Sequence, residues 1–251
     1  DTFELDDVTL SGDNNFGSIS GQKFHDLNAN GTKDDNEPGL SNWLIWTINE
    51  NENYFETLTD EDGNYVFSSL NPNIYQVCES IREDGWFQSF PATNENEEDS
   101  LCQDEEGTNG HQYEISLGES QNITDLDFGN YQRGSIAGLK FEDLNENSVR
   151  DEGELGLVGW VIELFQGENQ VTTVSTNENG DYLFSDLMPG TYTIRERNQI
   201  GWQQTSPTST PNYVVDVISG GRVEKIDFGN NRAKVIITGY KWSDLNKDGV
   251  W

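Results

Sequence analysis

Asp26, Asn28, Asn30, Asp34 and Glu37 occupy positions 1, 3, 5, 9 and 12 of a short loop, with Gly31 at position 6. Oxygen-bearing side chains at that spacing form the ligand set of an EF-type calcium loop. Position 7, here Thr32, offers its backbone carbonyl, and position 12 binds through both carboxylate oxygens. The pattern returns as Asp143, Asn145, Asn147, Val149, Asp151 and Glu154, with Ser148 at position 6. It begins again as Asp244, Asn246, Asp248, Gly249 and Val250. Ca2+ is therefore the expected cofactor. The competing reading is an Asx-rich turn that caps its own backbone, but such turns seldom need acids at both positions 9 and 12. No helix is expected to leave the loops, because Pro38-Gly39 follows Glu37 and Gly156 follows Glu154 by two residues. Ser148 is expected to weaken the second loop, since a side chain strains the left-handed backbone that glycine adopts freely. Asp60, Asp62 and Asn64, repeated as Asn177, Asn179 and Asp181, read as hairpin turns, with an auxiliary calcium site as the alternative.

A second constellation follows from strand parity. Alternate residues of a strand share a face, so Ile19, Gly21 and Lys23 lie together, as do Tyr75, Val77 and Glu79, and Leu126, Phe128 and Asn130. The same faces return as Ile136, Gly138 and Lys140; Tyr192, Ile194 and Glu196; and Ile226, Phe228 and Asn230. Each apolar face ends in a polar residue. Turning Lys, Glu and Asn toward a core is costly unless they satisfy one another. Burial drives the Lys toward neutrality and the Glu toward protonation, the states in which the amine attacks the Asn amide while the Glu shuttles a proton. The product is an isopeptide bond formed with loss of ammonia. The alternatives are a hydrogen-bonded trio at the core edge, or strand ends emerging into solvent. Gly129 and Gly229 precede the asparagines, and a kink there would turn the amide away.

These residues recur because the chain repeats. GSISGQKFHDLNANGTKDDNEPGLSNW from Gly17 aligns without a gap onto GSIAGLKFEDLNENSVRDEGELGLVGW from Gly134, and both repeats close on DFGN. Short alternating segments such as SISGQKF, WLIWTI, NYVFSSL and IYQVCES, separated by Asp-Gly, Asn-Gly and Pro-Gly clusters, predict an all-β sandwich per repeat. No apolar stripe keeps helical spacing. The expected organisation is an N-terminal extension over 1–16, a first sandwich over 17–132 with an acidic insertion, a second over 133–231, and the start of a third repeat over 232–251. Phe3, Leu5, Val8 and Leu10 of the extension read as a loose apolar strand able to complete a neighbouring subunit's sheet, or equally as a fragment's frayed end.

Composition limits the partners. Asp and Glu number 46 against 14 Lys and Arg, for a net charge of −32, which disfavours nucleic acid and anionic membranes. The 12 Phe, 9 Tyr and 7 Trp supply more apolar surface than a disordered acidic tail carries. No run approaches a membrane span, so no direct membrane insertion is expected. The opening lacks a signal-peptide pattern, as expected of either a mature start or the cut end of a fragment at Asp1, and the broken third repeat predicts that the parent protein continues.

The motifs GxKFxDLNxN, EPGL or LGL, G-x-Y-x-F, Y-x-V/I-x-E and DFGN resemble two related families, the B-type repeats of collagen-binding adhesins and the B-like domains of serine-aspartate-repeat adhesins. The resemblance spans Gly17 to Asn130 and Gly134 to Asn230. It implies tandem immunoglobulin-like β-sandwiches strung as a stalk on a cell surface, sometimes as pilus subunits, with calcium stiffening the modules. The loop matches the calcium-binding branch, and the Lys, Glu and Asn positions match the self-crosslinking branch.

Cys78 lies between inward Val77 and Glu79 and so faces outward, where a bridge to Cys102 would pin the insertion. The chain has no phosphate loop, zinc constellation or nucleophile elbow, so no enzyme is expected. The leading expectation is an extracellular stalk, cell-surface or secreted, whose partners are neighbouring repeats and a host or matrix protein or glycan. The alternatives are a filament subunit assembled by strand exchange, and a carbohydrate-binding module using Trp86 and Trp202 as sugar platforms.

Overall fold

The computed structural model describes residues 15–80, 85–91, 102, 112–233, 237–245 and 247–249. The apolar stretch Thr2–Leu10, most of the acidic insertion, Asn246 and Val250 lie outside the described residues. Two compact units make up the chain, one of 1–136 with 184–191 and 215–223, the other of the remaining stretches. Among the described residues every regular element is a strand.

The first sandwich is built from β1 (Gly17–His25), β2 (Leu44–Asn49), β3 (Tyr54–Leu58), β4 (Asn64–Leu70), β5 (Asn73–Glu79), β6 (Trp86–Phe90), β7 (Tyr113–Leu117), β8 (Asn122–Ile123) and β9 (Phe128–Gln132). One sheet runs β4-β1-β9-β6, with the short β8 also on β1; the other runs β3-β2-β5-β7. Strand β1 pairs parallel with β9, setting Lys23 opposite Phe128 and His25 opposite Asn130.

The second sandwich repeats the plan with β10 (Gly134–Glu142), β11 (Val161–Gln166), β12 (Asn169–Ser175), β13 (Asp181–Leu187), β14 (Gly190–Glu196), β15 (Trp202–Ser206), β16 (Asn212–Val217), β17 (Arg222–Val223) and β18 (Phe228–Arg232). Its sheets run β13-β10-β18-β15, with β17 on β10, and β12-β11-β14-β16.

Period-two alternation builds each core. Ile19, Phe128, Tyr65 and Phe67 from one sheet meet Ile45, Tyr75, Val77 and Leu117 from the other, with Trp43 closing one end. Each fully buried side chain of this size contributes about 1.5–3 kcal/mol of transfer free energy. Strand β4 breaks strict alternation, because a register shift in its pairing with β1 and a left-handed Ser69 (φ 59°) let Tyr65, Phe67 and Leu70 all point inward. Asp186 (φ 62°) does the same for Tyr182, Phe184 and Leu187. Gly21 and Gly138 are fixed by close approach: a Cβ there would lie 2.0 Å and 2.1 Å from the carbonyl oxygens of Leu126 and Ile226.

Candidate functional site

Strand parity delivers Lys23 from β1, Glu79 from β5 and Asn130 from β9 to one buried point, each 3% exposed or less. Lys23 Nζ donates to Asn130 Oδ1 and stands 2.6 Å from Glu79 Oε2. In the second sandwich Lys140 Nζ lies 2.6 Å from Asn230 Oδ1, 3.1 Å from the Phe228 carbonyl and 3.1 Å from Glu196 Oε2. Asn230 Nδ2 donates to Glu196 Oε1 at 2.8 Å. Gly129 and Gly229 sit within regular strand, so the amides face the lysines. Sequence reading missed the indoles of Trp43 and Trp160, which lie 4.5 Å from the two ammonium nitrogens and close each site from above. The signal for them was present, since a Trp recurs at the same place in both repeats.

Burial is the main electrostatic influence. It raises the carboxyls of Glu79 and Glu196 above their usual range, against the pull of the neighbouring Lys. It lowers Lys140 to about 8, partly offset by Glu196. Both shifts favour the neutral amine and the protonated acid. An amine held at the amide oxygen, with an acid bonded to the departing nitrogen, has the parts for transamidation once the amine is unprotonated: Nζ–Cγ forms, Cγ–Nδ2 breaks, and the proton lost by Nζ leaves on ammonia.

The loops form a second candidate site. In the first, Asp26 accepts from the backbone N–H of Asn30 (3.2 Å) and Gly31 (2.8 Å), and Glu37 accepts from Leu27 (2.8 Å) and Asp34 (3.0 Å). Asp143 and Glu154 repeat this with Asn147, Ser148, Leu144 and Asp151. Thr32 and Val149, at position 7, are held by their N–H to Asn30 and Asn147. Positions 4 and 6 are left-handed in all three loops: Ala29 and Gly31, Glu146 and Ser148, Lys247 and Gly249. Ser148 adopts this turn at φ 69° and donates its Oγ to the Thr205 carbonyl at 2.7 Å, a tether that offsets the strain expected of a non-glycine residue. In the third loop Asp244 accepts from Asp248 and Gly249 in the same way.

Whether Ca2+ suits these loops is decided by donor chemistry. Asp26, Glu37, Asp143 and Glu154 are buried carboxylates that accept hydrogen bonds from backbone amides. Each complete loop adds a further Asp, two Asn and a position-7 carbonyl, an all-oxygen set suited to a hard cation. Among the described residues no three Asp, Glu, His or Cys side chains converge as a metal cage, and Asp34 Oδ2 instead accepts from the Asn28 and Asn30 amides. The donor set fits Ca2+, and what bound Ca2+ would supply is compensation of buried negative charge. At the other acidic cluster Asp60 accepts from the N–H of Asp62 and Asn64, an Asx turn.

The chain matches the SdrD B-like domain over residues 17–130 and again over 134–226. It belongs to that family. It is 30% identical over 238 residues to serine-aspartate repeat-containing protein D of Staphylococcus aureus, covering 90% of this chain and 17% of that protein. Protein F of the same description from Staphylococcus epidermidis is 28% identical over 239 residues, covering 90% and 14%. The chain therefore spans less than a fifth of the length of these relatives. Among solved structures, the Bacillus anthracis TIE protein is 16% identical over 87% of this chain and 34% of that one, at a TM-score of 0.38.

The two B-like domains differ on one outer face. In the first, Cys78 on β5 and Cys102 are bridged, with Cα atoms 5.6 Å apart and both residues buried. In the second, Arg195 replaces Cys78, bonds Glu163 at 3.0 Å together with Arg197 at 2.6 Å, and lies over the Phe165 ring. The bridge closes a segment of sequence separation 24, so Cys102→Ser is expected to lower first-domain stability in urea by roughly 3 kcal/mol while leaving the second domain unchanged. Trp86 and Trp202 pack edge-on against Trp43 and Trp160 at 5.6 Å and 5.5 Å, and Arg232 covers the Trp202 ring. Both indoles close the core edge rather than offering a free sugar platform.

Proposed function

We propose that the two B-like domains are stalk modules of an extracellular surface protein, stiffened by Ca2+ and each locked by a Lys–Asn isopeptide bond. The observation that carries this reading is the buried Lys–Glu–Asn contact, found in both domains between the strands at which the repeat enters and leaves. A bond from β1 to β9, or from β10 to β18, carries tension through covalent links instead of through sheet hydrogen bonds. The loops lie directly after β1 and β10, so a bound cation would brace the same end of each domain. The net charge of −32 supports a cation requirement.

Intact mass tests the crosslink. The expected mass is short of the sequence mass by one ammonia per domain, with a further two hydrogens restored on reduction; a mass equal to that of the sequence removes the crosslink from the reading. Closure is also expected to depend on pH as a bell, because the Lys–Glu pair must hold a single proton. Below the raised Glu196 value both groups are protonated and the amine is not nucleophilic. Above about 8 the pair loses its last proton and ammonia departs without an acid. Rates of ammonia loss from freshly made protein across this range provide the measurement, and a rate still climbing well above pH 8 would contradict the assignment.

A further inference from the structure

We propose that Asp127 and Asp227 are positioning residues for the crosslink, each clamping the first strand of its domain to the last beside the reacting side chains; this role presupposes the crosslink. Strand β1 changes partner along its length. Ser18 and Ile19 pair with Asn122 and Ile123 of β8, whereas Lys23 to His25 pair with Phe128 to Asn130 of β9. Between these ladders the chain leaves the sheet through a left-handed Asp125 (φ 64°), and a single backbone bond among the described residues, from Leu126 N–H to the Ser20 carbonyl at 3.2 Å, spans the gap.

Gln22 N falls at this switch, and Asp127 Oδ1 accepts from it at 2.8 Å, taking the place of a strand carbonyl. Gln22 immediately precedes Lys23. Asp127 immediately precedes Phe128, whose carbonyl also receives Lys23 Nζ, and lies three residues before Asn130. This side-chain bond therefore anchors the start of the ladder that sets the relative height of amine and amide. From the opposite sheet, Tyr113 donates its hydroxyl to the Asp127 carbonyl at 2.7 Å and holds the segment down.

The second domain rebuilds the device with different neighbours. Leu139 N donates to Asp227 Oδ1 at 2.9 Å, Lys225 takes the left-handed position (φ 63°), and Tyr213 donates to the Asp227 carbonyl at 2.8 Å. Gln22 has become Leu139 and Asp125 has become Lys225, yet the aspartate and its bond persist. Both carboxyls are half-buried, and burial raises them above their usual range, a cost retained in each copy.

The test follows ammonia loss over time in full-length chain made by pulse-labelled cell-free synthesis, reading the mass of the proteolytic fragments that hold Lys140 and Asn230. Asp227→Ala is expected to slow closure of the second domain on the order of tenfold or more, because displacement of about 1 Å is enough to misalign the reactants. Asp227→Asn keeps an acceptor for Leu139 N–H and is expected to close within about twofold of wild type. Near-ultraviolet circular dichroism reports folding separately. An Ala variant that folds and closes at the wild-type rate, or an Asn variant as slow as Ala, overturns the role. If Asp227→Ala does not fold, Asp227→Glu, with its acceptor shifted by one methylene, is expected to fold and close slowly, and wild-type closure there overturns the role equally. A wild-type second domain that never loses ammonia removes the crosslink itself and this role with it.

Discussion

Lys140→Met is expected to abolish closure of the second domain and to produce the largest loss of stability of any single substitution at the site. Two effects combine. The covalent link, spanning a sequence separation of 90, is worth about 4–5 kcal/mol by the chain-entropy treatment used for other crosslinks. Removing Lys140 also strands Glu196, whose side chain has no solvent exposure, because the nitrogen beside it is lost, and leaving a buried polar group without its partner costs about 1–3 kcal/mol. The two are separable. Asn230→Ala keeps the Lys140–Glu196 pair but has no amide carbon to attack, so it should show the covalent share. Lys140→Met with Glu196→Gln removes the stranded acid and should recover this second share without any loss of ammonia. Denaturant unfolding and intact mass on the three proteins decide between them, and a Lys140→Met domain as stable as wild type would show that the trio does not hold the sandwich together. The contacts are shared, so the two shares need not add.

Parity explains why the trio is legible in sequence. A strand has a fixed period of two, so once Ile19 or Tyr75 is placed inward, Lys23 and Glu79 follow without knowledge of the partner strand. The loops are legible for a similar reason, because their geometry is local: the Asp26 carboxylate accepts from backbone N–H groups four and five residues along. What escaped depends on long-range contacts. The segment LDFGN reads as a strand, yet β9 starts only at Phe128, because Leu126 and Asp127 lie where β1 exchanges one partner for the next. Ser148 reads as a defect because its compensating acceptor, the Thr205 carbonyl, is 57 residues away. Strands β6 and β7 flank the insertion unique to the first repeat, where comparison of the copies gives least help.

Chelation is expected to destabilise both domains, and the size of the effect distinguishes specific binding from screening. A cation held at about 100 times its dissociation constant adds about 2.7 kcal/mol to a domain that binds it only when folded. For domains near 100 residues this is a rise in Tm on the order of 10 °C. With the net charge at −32, any salt relieves some repulsion, so Ca2+ must be compared with Mg2+ at equal ionic strength. Mg2+ demands a compact octahedral shell and parts with water reluctantly, whereas a flexible loop of Asp, Asn and Glu oxygens suits the larger ion. Ca2+ should therefore raise Tm by several degrees more than Mg2+. The variant that tests the loops is Asp34→Ala with Asp151→Ala. These carboxylates accept from the side-chain amides of Asn28 and Asn30, and of Asn145 and Asn147, so the backbone bonds to Asp26, Glu37, Asp143 and Glu154 survive the change. Stability in chelator should then stay near wild type while the Ca2+ increment disappears. An increment that survives in the double variant, or that Mg2+ reproduces in full, would mean that the cation acts on the acidic surface and not in the loops.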